Sequence, residues 1–245
     1  MSKKKTRQRR QPEAPPPRIE GSSGRKKTVL VLSGVALFAA LLVGTAAYYA
    51  RPVDEPAAAT KAPAASAAAL VRFHSPTKGE TSAKVHIVEF LDPACETCSR
   101  FYPFVNEFMK ANPGRVRVSI RYAPFHSGSK EVVRLLEAAR KQGKFWETLE
   151  ALLGSQRTWV VNHTARLDLA WSAIQGVGLQ IDRVKQDMQS AEIDRVIQQD
   201  LEDAVALNVT QTPEFFVNGR PMPSFGFEQL RSLVERALRE QYGSA

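Results

Sequence analysis

Residues 84–104, KVHIVEFLDPACETCSRFYPF, carry the clearest structural pattern in this 245-residue chain. Lys84–Leu91 is rich in β-branched and apolar residues, which predicts a buried strand. The next three residues, Asp-Pro-Ala, predict a turn, and a helix is expected to begin near Cys95. The two cysteines of the chain, Cys95 and Cys98, therefore lie where a strand passes into a helix.

The chain that follows continues an α/β pattern up to its last residues. Arg115–Tyr122 alternates apolar and polar residues, which predicts a second strand. Residues 129–207 look helical throughout. Glu214–Val217 is apolar and is followed by Asn218-Gly219, a strong hairpin signal, and residues 225–241 predict a last amphipathic helix. Strand, helix, strand, helical block, hairpin and helix is an order typical of the α/β class.

The net charge of +9 comes from the N-terminal part of the chain. Residues 1–51 hold 11 of the 34 Lys and Arg but only two of the 25 acidic residues, and the remaining 23 basic and 23 acidic residues balance. The main domain therefore has no cationic excess, and we expect no nucleic-acid partner. Residues 1–27 have no periodic apolar pattern, which predicts a disordered basic tail. A nucleic-acid-binding tail is the alternative.

Residues 28–50, TVLVLSGVALFAALLVGTAAYYA, contain no charged residue. At about 1.5 Å per residue, a helix of this length spans a hydrocarbon core of roughly 30 Å. This predicts a single transmembrane anchor, with a cleaved signal peptide as the alternative. The cations precede the segment, so the N-terminus is expected in the cytoplasm and the domain outside it. We therefore expect a single-pass protein of the inner membrane whose domain is periplasmic or otherwise extracytoplasmic. Residues 51–69 predict an Ala/Pro-rich linker, and residues 70–245 predict the globular domain.

The spacing of Cys95 and Cys98 brings both sulfurs within one helical turn, close enough for a disulfide. Free amides and the helix dipole favour a thiolate at the helix start, so we expect Cys95 to be the nucleophile and Cys98 to resolve the mixed disulfide. A purely structural disulfide would close too small a ring to add much stability. Zinc would need two more ligands, and the four histidines are not spaced to supply them. We therefore expect a redox pair, with no metal and no cofactor.

The segment VEFLDPACETCSRFYPF resembles the active-site segment of the DsbA-like branch of the thioredoxin superfamily, and the resemblance extends over about residues 71–241. It implies a thioredoxin fold with a helical insertion at about 129–207. It also implies that Glu89 is a buried acid under the active site. QTPEFFVNG resembles the segment with the cis-proline of the family, which implies that Pro213 and the preceding Thr212 bind an extended substrate. From the residues alone, Glu89 could instead point to solvent at a strand end.

The resemblance implies thiol–disulfide exchange on exported proteins that contain cysteine, with disulfide formation as the first hypothesis. A reductase or isomerase remains the alternative within this chemistry, and a redox-inert, membrane-tethered binding or chaperone module is the alternative outside it. An oxidant would need a DsbB-like membrane oxidase, whereas a reductase would need a membrane electron donor. The Glu-Thr pair between the cysteines replaces the Pro-His pair of DsbA. Glu96 is thus expected to oppose the thiolate, and His126 is expected on a loop surface.

Overall fold

The structure is a computed structural model that describes residues 68–243. The predicted tail at 1–27, the predicted anchor at 28–50 and all but the last two residues of the predicted linker at 51–69 lie outside the described residues. Residues 68–70 are helical, and Ala69 and Leu70 are buried. Within residues 68–243, no helix is both long enough and apolar enough to cross a bilayer.

Strands and helices alternate along the described chain. The strands are β1 (Thr77–Lys78), β2 (Val85–Leu91), β3 (Val116–Tyr122), β4 (Val160–Val161), β5 (Thr164–Ala165), β6 (Glu214–Val217) and β7 (Arg220–Pro221). The helices are α1 (Glu96–Ala111), α2 (Ser129–Lys141), α3 (Phe145–Gly154), α4 (Gln156–Trp159), α5 (Leu167–Ala173), α6 (Ile181–Asp187), α7 (Ala191–Ala206) and α8 (Phe227–Tyr242). The predicted α/β class and the predicted strands at β2, β3 and β6 are confirmed.

One mixed sheet of five strands organises the domain, in the order β1-β3-β2-β6-β7. Strands β2 and β3 are parallel, and the other neighbouring strands are antiparallel. The hairpin between β6 and β7 turns at Asn218 and Gly219, which have φ values of 48° and 81°. Because this turn needs positive φ at both positions, the Asn-Gly signal in the sequence located it correctly.

Alternation along β2 assigns its side chains to two different faces of the sheet. Ile87 and Leu91 belong to the large core that also holds the buried residues of α1 and α8. Val88 and Phe90 belong to a smaller core on the opposite face, together with Ala204 of α7. Glu89 lies on the first of these faces, which is covered by α1.

The segment between β3 and β6 is largely helical but not helical throughout, so that part of the prediction is wrong. Strands β4 and β5 form a short hairpin whose turn residues, Asn162 and His163, have φ values of 50° and 58°. The β-branched Val160 and Val161 favour an extended backbone before this turn, and Asn and His tolerate positive φ better than most residues. We refer to residues 129–206 as the insertion.

Candidate active site

The cysteine turn, residues 92–95, connects the end of β2 to the start of α1. The Cys95 amide donates to the Asp92 carbonyl oxygen at 3.0 Å, and Cys95 is the N-cap residue of α1. Among residues 68–243, no side-chain cap hydrogen bond is made at the start of this helix, so the amides of its first turn are free to interact with the Cys95 sulfur. Both cysteines are free thiols; Cys98 is fully buried and Cys95 is 6% exposed.

The two thiols have very different acidities. The pKa of Cys95 is lowered from 9.0 to about 5, chiefly by a hydrogen bond from the Cys98 side chain and further by Thr212 and the Cys98 and Thr97 amides, although burial opposes this. The pKa of Cys98 is raised well above 9.0, first by burial and then by the hydrogen bond to Cys95. At neutral pH Cys95 is therefore a thiolate and Cys98 a thiol, the order on which the expected roles depend.

The structure brings Thr212 and Pro213 next to the cysteine turn, 117 residues along the chain from Cys95. The peptide bond between Thr212 and Pro213 is cis. Cys95 Sγ lies 3.2 Å from the Thr212 carbonyl oxygen, to which it donates a hydrogen bond when it is protonated. The backbone in front of β6 therefore lies directly beside the sulfur that is predicted to react.

Glu89 is buried in the middle of the sheet, where β2 pairs with Ile120 of β3 and with Phe215 of β6. Glu89 is only 1% exposed, which rules out the alternative that its side chain points to solvent. Within residues 68–243, no hydrogen-bond partner reaches Glu89 Oε1. Burial, and secondarily the charge of Cys95, raises the pKa of Glu89 from 4.5 to about 8. Glu89 therefore keeps its proton at neutral pH.

The sequence did not identify Asp92 as part of this site. Asp92 is fully buried, and its carboxylate accepts hydrogen bonds from the Ala94 amide, the His126 amide and His126 Nδ1, each at 2.8 Å, and from the Ser129 hydroxyl. His126 lies in a loop with its side chain 27% exposed, and its bonds to Asp92 tie it to the cysteine turn. An Asp-Pro turn after a strand is the local signal that could have suggested this role for Asp92.

Gln156 also contacts the cysteine turn, and no local sequence signal pointed to it. Its side chain comes from α4 of the insertion and donates to the carbonyl oxygens of Pro93 at 2.8 Å and Cys95 at 3.0 Å. Only the folded insertion brings this residue close, because more than 60 positions separate it from the turn.

Comparisons with known proteins agree with this architecture. A family model described as thioredoxin matches residues 73–236, about two thirds of the chain. A solved thioredoxin-like oxidoreductase from Silicibacter pomeroyi DSS-3 is 30% identical, with a TM-score of 0.59, over 67% of this chain and 92% of that one. The alpha-DsbA1 of Wolbachia pipientis shares the fold with a TM-score of 0.61, at 19% identity, over 70% of this chain and 94% of that one.

Curated relatives match over a similar share of the chain. A Na(+)/H(+) antiporter NhaA from Herminiimonas arsenicoxydans is 28% identical over 167 residues, which is 66% of this chain and 25% of the antiporter. The chain therefore spans about a quarter of the length of the curated relatives that it matches.

Proposed function

We propose that this chain, which belongs to the thioredoxin family, is a DsbA-like protein disulfide oxidoreductase that forms disulfides in exported proteins through Cys95 and Cys98. The observation that carries this proposal is the difference between the two thiols: Cys95 ionises with a pKa of about 5, whereas Cys98 stays protonated. The stabilised Cys95 thiolate lowers the free energy of the reduced enzyme. The Cys95–Cys98 disulfide is therefore readily reduced, which makes it an oxidant of substrate thiols.

The proposed reaction begins with the Cys95–Cys98 disulfide. A substrate thiolate attacks Cys95 Sγ, the Cys95–Cys98 bond breaks, and Cys98 leaves with the electron pair and takes up a proton. A second substrate thiolate then attacks the substrate sulfur of the mixed disulfide, and Cys95 leaves as a thiolate. The substrate gains a disulfide and the enzyme becomes a dithiol. The low pKa of Cys95 favours this second step, because an acidic thiol is a better leaving group.

Glu89 is the proposed proton carrier for Cys98. At neutral pH it is protonated and buried on the same face of the sheet as the active-site helix, so it can supply the proton that Cys98 needs on leaving. In the reverse step, when the dithiol is reoxidised, the Glu89 carboxylate accepts that proton. A buried carboxylate with a pKa near the working pH suits both directions.

Thr212 and Pro213 are the proposed substrate-binding residues. The Thr212 carbonyl oxygen lies 3.2 Å from Cys95 Sγ, so an extended substrate strand could pair with this backbone while its cysteine meets Cys95. Backbone pairing places few demands on substrate side chains, which suits an enzyme that acts on many exported proteins.

The location of the domain and its redox partner belong to the same proposal. We propose that residues 28–50 anchor the chain in the inner membrane, with the domain on the periplasmic side, and that a DsbB-like membrane oxidase restores the disulfide. A Cys95 pKa of about 5 lies between the roughly 7 of thioredoxin and the roughly 3.5 of DsbA, which favours an oxidant weaker than DsbA. A reporter fused after Ala245 should be active only when exported.

The roles of the two cysteines can be tested with Cys95→Ser and Cys98→Ser variants of the full chain. Both should lose turnover of a reduced, two-cysteine peptide, because each catalytic cycle needs both sulfurs. With the oxidised form of the same peptide, Cys98→Ser should still form a mixed disulfide, because the Cys95 thiolate attacks the peptide disulfide and displaces one peptide thiolate. Cys95→Ser should form none. In the wild-type dithiol, Cys95 should be alkylated with a midpoint near pH 5, before Cys98. Normal turnover by Cys95→Ser, or faster labelling of Cys98, would overturn the proposal.

A further inference from the structure

We propose that Gln156 is a positioning residue that sets the reactivity of Cys95 by holding the backbone of the cysteine turn. This inference rests on the proposed role of Cys95 as the reacting sulfur. It assigns a chemical task to a residue of the insertion.

The contact is specific in its geometry. Gln156 is only 5% exposed, and its Nε2 lies 2.8 Å from the Pro93 carbonyl oxygen and 3.0 Å from the Cys95 carbonyl oxygen. A carboxamide carries two N–H donors on this nitrogen, so each N–H can donate to one of the two carbonyl oxygens. The Pro93 carbonyl belongs to the peptide group before Ala94, and the Cys95 carbonyl belongs to the peptide group after Cys95. A single side chain therefore fixes one peptide group on each side of the Ala94-Cys95 pair.

Gln156 is itself held in place by its own helix. Helix α4 is only four residues long, and Trp159 at its end is fully buried. The Trp159 indole N–H donates to the Leu152 carbonyl oxygen at 2.9 Å, which fastens α4 to α3. The Gln156 side chain therefore extends from a rigid support and not from a mobile loop.

The orientation of the Cys95 peptide matters because of what stabilises its thiolate. The backbone amides of Thr97 and Cys98 hydrogen-bond to the sulfur and lower the pKa of Cys95. The helical bond from the Ser99 amide to the Cys95 carbonyl oxygen is long, at 3.3 Å, and so holds this peptide weakly. Without the Gln156 bond the peptide can rotate, which turns Sγ away from the amides that stabilise its charge.

The test compares Gln156→Met, which keeps the side-chain length but removes both donors, with Gln142→Met. Gln142 also makes side-chain hydrogen bonds within the insertion, to the Gln180 backbone, but it does not touch the cysteine turn. Gln156→Met should raise the midpoint of Cys95 alkylation by about one pH unit. It should also make the disulfide about tenfold less oxidising toward glutathione, or about 30 mV. Gln142→Met should leave both values unchanged.

A structural role alone gives a different result. If Gln156→Met lowers the melting temperature but changes neither the alkylation midpoint nor the glutathione equilibrium, the inference is wrong. Should Gln156→Met fail to fold, Gln156→Asn, which can reach at most one of the carbonyls, should shift both values in the same direction by less; no shift would contradict the inference. A wild-type protein that does not exchange with glutathione would instead overturn the proposed function itself.

Discussion

The two faces of the sheet bury acidic side chains in opposite surroundings, one poor in hydrogen-bond partners for the acid and the other rich in them. On the face covered by α1, Glu89 has an oxygen that no group within residues 68–243 satisfies, and its pKa is raised to about 8. On the face covered by α7, Asp200 and Asp203 are surrounded by cationic and polar partners. The same fold thus contains an unpaired acid and a paired acidic network separated by one layer of strands.

Arg121 of β3 is the centre of the paired network. This fully buried side chain donates to Asp200 at 2.7 and 2.9 Å and to Asp203 at 2.6 Å. Arg72 donates to Asp203, and His74 lies 2.7 Å from Asp200. The network therefore ties the segment before β1, strand β3 and helix α7 to one another.

The difference separates two uses of a buried acid. A buried charge is tolerated when it is paired and hydrogen-bonded, and it then holds elements of the fold together. A buried acid without a partner becomes neutral instead, so its pKa moves toward the working pH and it can carry a proton. Glu89 meets the second description, and its charge helps to raise the pKa of Cys98, the thiol that must gain and lose a proton.

The largest effect is expected from breaking the paired network. Arg121→Met should lower the free energy of unfolding by about 3–5 kcal/mol, because Asp200 and Asp203 would be left buried without their main partner. Urea denaturation measures this change. Arg117→Met, at a partly exposed arginine of the same strand, serves as the control and should cost less than about 1 kcal/mol. Equal losses in the two variants would mean that the network does not hold the fold.

The unpaired acid should behave in the opposite way. At pH 7, Glu89→Gln should raise the free energy of unfolding of the reduced protein by about 2–3 kcal/mol. The matched variant Glu137→Gln should lower it by about 1–3 kcal/mol, because the buried Glu137 accepts from Tyr122 at 2.7 Å and from Arg140 at 2.6 and 2.9 Å. Opposite signs for the same chemical change would support the comparison, whereas a loss in both variants would contradict it.

The pH dependence of the Glu89→Gln gain follows from the raised pKa. Between 4.5 and about 8, the folded protein keeps a proton that the unfolded chain has released, so stability falls as the pH rises through this window. The gain should therefore be absent near pH 4 and grow up to about pH 8. If Glu89 carries the Cys98 proton, Glu89→Gln should also slow thiol exchange between pH 6 and 8 without unfolding the domain. An unchanged exchange rate would mean that Glu89 is a buried polar residue that does not carry the Cys98 proton.

The smallest effect is expected from Glu96, an exposed acid that forms no salt bridge with the part of the chain that the structure describes. Glu96 follows Cys95 and is exposed, so solvent screens most of its repulsion of the thiolate. Glu96→Gln should make the disulfide more oxidising, by about 30 mV for each pKa unit that Cys95 loses. A glutathione titration of both proteins measures the shift. A more negative potential in the variant would show that Glu96 does not act through its charge.

Much of the fold could be predicted because its signals are local. The apolar run at β2, the alternation at β3 and the Asn-Gly turn after β6 each report on the backbone near them. The hairpin of β4 and β5 was missed because its strands have two residues each, too few for a periodic pattern. Strand β1, at Thr77–Lys78, was missed for the same reason.

The site was predictable only in part, for a related reason. Cys95, Cys98 and Glu89 lie within ten residues, and the resemblance to a known family supplied Thr212 and Pro213. Gln156 reaches the cysteine turn through tertiary packing that no spacing in the sequence encodes. The Arg121 network could not be predicted from the sequence either, because a charged residue in an alternating strand is normally expected to face solvent.

The equilibrium of the Cys95–Cys98 pair with glutathione tests the central claim most directly. The Cys95 pKa of about 5 predicts a reduction potential between the roughly −270 mV of thioredoxin and the roughly −120 mV of DsbA. A value in that interval would support a dithiol oxidant with a stabilised Cys95 thiolate. The claim would be contradicted if the pair does not exchange with glutathione, or if its reduction potential is more negative than that of thioredoxin.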